Sequence, residues 1–194
     1  LILSGNSASY AGNIFVNAGT LQANSANALG NTTGTTTVAD GATLALSGTI
    51  TSAENITVAG AGVSGAGALQ GVSGTSTLSG TVTLAGATTV GATTGNTLAL
   101  GAIGGAGQNL STTGAGNVNL TGAITTGNGA LTVGSSGTVT MSGAANTYTG
   151  TTTVNGGTLA LAKAAGVTSL AGNLTVNAGS VRLDNSNQIA DNAT

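Results

Sequence analysis

Val154-Asn155-Gly156-Gly157-Thr158-Leu159 and Val176-Asn177-Ala178-Gly179-Ser180-Val181 are near-copies of one phrase, an aliphatic pair closing around an Asn-x-Gly turn, and they begin 176 − 154 = 22 positions apart. A third copy, Val16-Asn17-Ala18-Gly19-Thr20-Leu21, has a partner at the same interval. Val38-Ala39-Asp40-Gly41-Ala42-Thr43-Leu44 starts 38 − 16 = 22 positions after it. A fixed interval near twenty marks a chain that coils and stacks on itself.

Beyond these phrases, strand signals recur as two aliphatic residues separated by one polar residue, which place both side chains on one face. Leu44 with Leu46, Ile56 with Val58, Val82 with Leu84, Leu98 with Leu100, Val118 with Leu120, Leu131 with Val133, Val139 with Met141, Leu159 with Leu161, and Leu174 with Val176 all follow it. Strands this short do not hold a hairpin alone, but they can pair in parallel with the next coil about 4.8 Å away. A ladder through Val16, Val38, Val58, Leu78, Leu100, Leu120, Met141, Leu161 and Leu183 takes steps of 20 to 22 positions. The expected fold is all-β: a single-stranded parallel β-helix of roughly nine coils over 194 residues, about 40 Å long. Val16, Val38, Val58, Leu100, Leu120, Val154, Leu161, Val176 and Leu183 are predicted to point inward. Gly19, Gly41, Gly157 and Gly179 are predicted to take the positive φ of the tight turns. No capped amphipathic window predicts a helix.

Composition agrees with a thin core. Hydrophobic residues make up 40% of the chain but aromatic residues only 2%, so the interior is built from Val, Leu, Ile and Ala. Charged residues are 3%: Lys163 and Arg182 against Asp40, Glu54, Asp184 and Asp191. Phosphate binding needs clustered Lys and Arg, so a nucleic-acid partner is not expected. Cysteine is absent, which removes disulfides and thiolate metal sites. No apolar run of about 18 residues predicts a membrane-spanning helix, and no aromatic girdles suggest a membrane barrel. Residue 1 is not followed by a leader pattern, and both ends fall in mid-pattern, so residues 1–194 are expected to be one β-helix segment of something longer.

Catalysis is poorly supplied. With no His and no Cys, neither a Ser-His-acid nor a Cys-His set can be assembled. Lys163 is expected to be a solvated turn lysine. Paired-carboxylate hydrolysis needs two acids about 5 to 9.5 Å apart, and the spacing of Asp40, Glu54, Asp184 and Asp191 gives no reason to expect it. Asp184, Asn185, Asn187 and Asp191 superficially resemble an oxygen-ligand loop, yet the repeated Gly-Gly-x-Gly-x-Asp pattern of calcium β-rolls is missing. No catalytic, metal or cofactor residues are therefore predicted. Thr35-Thr36-Thr37, Thr81-Val82-Thr83, Thr138-Val139-Thr140 and Thr151-Thr152-Thr153 are expected to turn hydroxyls outward, by strand propensity first and as an ice-binding array second. Asn55, Asn119 and Asn173 open Asn-x-Thr triplets, which chance supplies in a chain rich in both residues.

Leu3-Ser4-Gly5, Tyr10-Ala11-Gly12 and Val16 to Leu21 align without a gap, at an offset of 141 − 3 = 138, with Met141-Ser142-Gly143, Tyr148-Thr149-Gly150 and Val154 to Leu159. This pattern resembles the passenger-associated β-strand repeat of bacterial autotransporters, the type V secretion proteins. Leu183 to Asp191 looks like the segment that often follows it. The resemblance implies a right-handed parallel β-helix displayed outside the outer membrane of a Gram-negative cell, as a stalk or adhesive face. It implies as partners the neighbouring coils of a longer chain and a host-cell or surface ligand, without membrane insertion. Unpaired solenoid ends and near-zero charge separately lead to an expectation of self-association when the segment is isolated. A self-assembling extracellular structural protein, secreted by two-partner transport or S-layer-like, is the alternative, with a polysaccharide-acting β-helix enzyme further behind. Tyr10 and Tyr148, at equivalent repeat positions, are expected to pack at the coil edge.

Overall fold

The computed structural model describes residues 1–191 and 193. Its strands pair in parallel, each with the strand one coil away, and they sort into three ladders running the length of the molecule. Ladder A holds Ile14–Val16, Thr35–Val38, Asn55–Gly60, the start of Val82–Ala92, Ile103–Gly104 and Ile124–Thr125. Ladder B holds Ile2–Leu3, Thr20–Ala23, Thr43–Ser47, Leu69–Ser73, the end of Val82–Ala92, Leu110–Thr113, Leu131–Val133 and the starts of Thr152–Leu161 and Leu174–Leu183. Ladder C holds Thr51–Ser52, Thr75–Leu78, Thr97–Leu100, Asn117–Leu120, Thr138–Met141 and the ends of Thr152–Leu161 and Leu174–Leu183. The fold is a parallel β-solenoid. Ladder B has nine rungs and therefore eight turns, about 38 Å of rod at ~4.8 Å per turn. Among the described residues the only helical element is the 3₁₀ turn Val63–Gly65.

The core is the stack of inward aliphatic side chains. Val16, Val38, Val58, Leu100, Leu120, Val154 and Leu161 are all buried, as their alternation predicts. Val176 and Leu183 are not: they are 49% and 54% exposed. They stand in register with Val154 and Leu161, but among the described residues the strand Leu174–Leu183 pairs on one side only, so no rung covers them. The four turn glycines adopt positive φ, from 57° at Gly157 to 80° at Gly41.

The single ladder read from the sequence is a splice of two. Val16, Val38 and Val58 continue to Leu84 on ladder A, while Leu78, Leu100, Leu120, Met141, Leu161 and Leu183 stand on ladder C above Ser52. The slip occurs because the turn from Ile56 to Val82 is longer than the rest, at 82 − 56 = 26 positions. Ala61 to Ala68, with its 3₁₀ turn, bulges from the coil and takes up the surplus. Two threonine triplets also differ from expectation. Thr36 and Thr152 are the inward members of their strands and are fully buried, so only their neighbours face out.

The offset of 138 does not bring the two repeat copies onto the same face. Val16 lies on ladder A and Val154 on ladder B, six turns and one face further on. The tyrosines diverge accordingly in environment. Tyr148 is a core residue, its hydroxyl 2.6 Å from Thr152 Oγ1 and its pKa pushed up to about 12 by burial, whereas Tyr10 is 45% exposed beside the first turn.

Candidate functional site

Three features of the rod carry chemistry: the corner between ladders C and A, the outward columns of the faces, and the two ends. The corner holds the buried lysine and the buried glutamate. Lys163 stands two positions after Leu161 and, keeping the inward parity of Leu159 and Leu161, turns into the rod rather than into solvent. The expected solvated turn lysine is thus a buried one. Its ammonium donates to the carbonyl oxygens of Ser142 and Ala144, each 2.6 Å away, one turn below. Among the described residues no carboxylate hydrogen-bonds to it, and desolvation lowers its pKa to about 8.

Gln188 completes this corner from the turn above. Its Oε1 accepts from the Lys163 N–H at 3.1 Å and from Ser169 Oγ at 2.8 Å, while Nε2 donates to the Ala164 carbonyl at 2.9 Å. Asn146 continues the polar stack downward, donating to the Ser169 carbonyl and accepting from the Ile124 N–H. Among the described residues ladder A has no strand beyond Ile124–Thr125 apart from a bridge between Leu170 and Ile189, and these amides satisfy backbone groups where the ladder stops.

Glu54 occupies the same corner five rungs lower, from Ser52 to Leu161 on ladder C, about 24 Å away. The two charges cannot pair. Thr36 donates to Glu54 Oε1 at 3.3 Å, and Oε2 is buried without a hydrogen-bond partner. Burial raises the Glu54 pKa, the Thr36 hydrogen bond offsetting part of the rise. The structure leaves the acids dispersed. Asp184, six rungs above the level of Glu54 and so about 29 Å away, is held by Arg182 through Nε at 2.6 Å and Nη2 at 3.0 Å. That bidentate pair lowers the Asp184 pKa. Asp40 packs on Gly60 at another corner, between ladders A and B. The Asn185 amide donates to the Lys163 carbonyl.

Outward side chains stack by the same register. On ladder B, Thr89, Ser111, Thr132, Thr153 and Thr175 form one file over five successive rungs. On ladder C, Thr75, Thr97 and Asn117 are followed by Thr138, Thr158 and Ser180, with Thr158 Oγ1 and Ser180 Oγ 3.1 Å apart. Of these positions only Thr138 and Thr153 belong to the threonine triplets singled out in the sequence, and the inter-coil register supplies the rest. The Lys163 and Glu54 environments were missed although parity carried the signal, because Ser52, Glu54, Ile56 and Val58 alternate on one side as Leu159, Leu161 and Lys163 do.

Comparison with known families places two stretches of this rod. The family model of the passenger-associated transport repeat matches residues 1–23 and 131–161. The chain is a β-solenoid carrying the passenger repeat of autotransporters. Neither curated proteins nor solved structures gave a match. In this solenoid, the second match covers ladder strands Leu131–Val133, Thr138–Met141 and Thr152–Leu161 and the buried Tyr148. In this second stretch the repeat is an internal packing element, with its aliphatic and tyrosine positions placed in the core, whereas Tyr10 in the first stretch is half exposed.

Proposed function

We propose that residues 1–194 act as one structural stalk, displayed outside a Gram-negative cell, whose charge-poor faces provide a broad adhesive surface. The observation that carries this reading is the uninterrupted eight-turn stack bearing the passenger repeat, with files of hydroxyl and amide groups on its outside. A structural rather than catalytic role is supported by the dispersal of the acids and by the packing of Lys163. The partner class is a host-cell or abiotic surface offering hydrogen-bonding groups.

The test is display of the whole passenger on cells, with Thr132→Lys/Thr153→Lys on the ladder B file. Surface display is expected to stay at the parent level while attachment falls. Unchanged attachment from these and equivalent changes on the other two faces would leave a stalk without an adhesive face, and product release from a polysaccharide would overturn the structural reading. A freezing-point hysteresis would favour the threonine files as an ice-binding array, and none is expected. The second reading, a self-assembling extracellular structural protein, is favoured by the 3% of charged residues, which leaves little repulsion between neighbouring rods.

A further inference from the structure

We propose that Asn155 is a self-modification site: its side-chain amide is lost to attack by the Gly156 backbone nitrogen, the Asn177 amide assists, and a neutral corner of the rod gains a carboxylate. The chemistry is that of an Asn-Gly step, where asparagine is labile and the next residue carries no side chain. The Gly156 nitrogen gives its proton to hydroxide and attacks Asn155 Cγ. A C–N bond forms, the Cγ–Nδ2 bond breaks, and that nitrogen leaves as ammonia. Water then opens the five-membered imide at either carbonyl, leaving aspartate or the isomer whose backbone runs through the side-chain carbonyl. One water is consumed and one ammonia released, and no further reactant is needed.

Three observations meet at this residue. Among the three copies of the repeated phrase, only Val154-Asn155-Gly156-Gly157 sets glycine directly after asparagine, while Asn17 and Asn177 are followed by alanine. A β-carbon there would crowd the nitrogen as it approaches Cγ. Asn155 is also exposed, and the pairing of Thr152–Leu161 with Leu174–Leu183 shifts register on both sides of it, after Val154 and before Thr158. Such a break frees the local backbone from the regular ladder. Finally, Asn177 Nδ2 donates to Asn155 Oδ1 at 2.8 Å. Negative charge develops on that oxygen when the nitrogen adds to Cγ, and a donor already in place stabilises it more than it stabilises the neutral amide. The strand holding Asn155 is paired both above and below, so this environment lies within the rod. Asn128-Gly129 is the other Asn-Gly step of the chain. It is exposed in a turn, but among the described residues no side chain donates to its Oδ1. The aspartate adds a charge to a chain of formal net charge −2.

The experiment is timed incubation of the folded chain at neutral and mildly alkaline pH, followed by peptide mass spectrometry with fragmentation that separates aspartate from its isomer. Asn155 is expected to convert first, ahead of Asn128, to give both products, and to react faster as hydroxide rises. Gly156→Ala is a mild change, because its β-carbon would lie 3.3 Å from the Ser135 carbonyl oxygen. It is expected to slow conversion about tenfold by displacing the attacking nitrogen. Asn177→Ala removes the donor to Oδ1 and is expected to slow conversion about tenfold or more. Circular dichroism confirms that each variant is folded, and Asn177→Asp, which keeps the shape but only accepts, replaces Asn177→Ala if it is not. Conversion of Asn128 ahead of Asn155, an Asn155 that stays intact, or a parent-like rate in either variant would each overturn the proposal.

Discussion

Among individual side chains, the buried Lys163 and Glu54 make stability depend on pH in opposite parts of the range. Lys163 has a folded-state pKa of about 8, below the 10.5 of an unfolded lysine. A depressed lysine favours folding fully above its unfolded pKa, and that contribution is lost as pH falls through the folded value. Urea midpoints of the parent are therefore expected to decline from pH 10.5 to 8 and then flatten, and Lys163→Met to lose the decline. Glu54 is raised above 4.5, so its favourable contribution is present below 4.5 and is lost as pH climbs through the higher folded value. Glu54→Gln is expected to raise the midpoint at neutral pH and to leave it unchanged at about pH 3, where the parent carboxyl is protonated in both states. A parent-like pH profile in either variant would mean that the group is solvated. Neither environment follows from residue type, since Lys163-Ala164-Ala165-Gly166 reads as a turn. The turn below, whose Ser142 and Ala144 carbonyls fill the role of a counter-ion, is what takes the lysine in.

Each strand, as an element, contributes two or three inward side chains, and its stability comes from the rungs above and below. Leu161 is fully buried between Met141 and Leu183, whereas Leu183 has a rung on one side only. Leu161→Ala is expected to cost about 2–5 kcal/mol and Leu183→Ala under ~1 kcal/mol in dilute solution, by chemical denaturation. Equal losses would place both in the same environment. The glycines set how closely turns stack. Gly143 has φ +72°, and a Cβ there would come within 2.0 Å of the Thr121 carbonyl oxygen. A side chain would have to prise two turns apart, which explains why the repeat's Ser-Gly step follows so directly on the last core residue of its strand, Met141.

Over the whole molecule, the solenoid is a one-dimensional stack, so whole turns are interchangeable and fractions of a turn are not. Deleting residues 103–123 brings Ile124 into the place of Ile103, with which it is paired in register. This variant is expected to retain the β-sheet circular dichroism and cooperative unfolding of the parent on a shorter rod. Deleting one third of that length is expected to abolish cooperative unfolding, because every later strand would move to the wrong ladder. Equal behaviour of the two deletions would contradict the three-ladder register. Interchangeability also accounts for the two transport repeats facing different ways. A section with three similar faces accepts the phrase at any corner, and nothing in the packing requires two copies to stack.

The coil interval, the parallel β-solenoid, most of the inward aliphatic positions and the turn glycines were all legible in the amino-acid order, because these depend on local alternation and on φ at one residue. Val154 to Leu159 against Val176 to Val181 sufficed for the interval. Which face each strand joins was settled only by the packed rod, since a single long turn at Ala61 to Ala68 shifted every later assignment by one ladder. Packing also put Thr36, Thr152, Lys163 and Glu54 inside and left Val176 and Leu183 half outside. Alternation gives direction relative to a strand, but burial depends on what the neighbouring turns place there, and that is a sum over chain lengths that no local pattern contains.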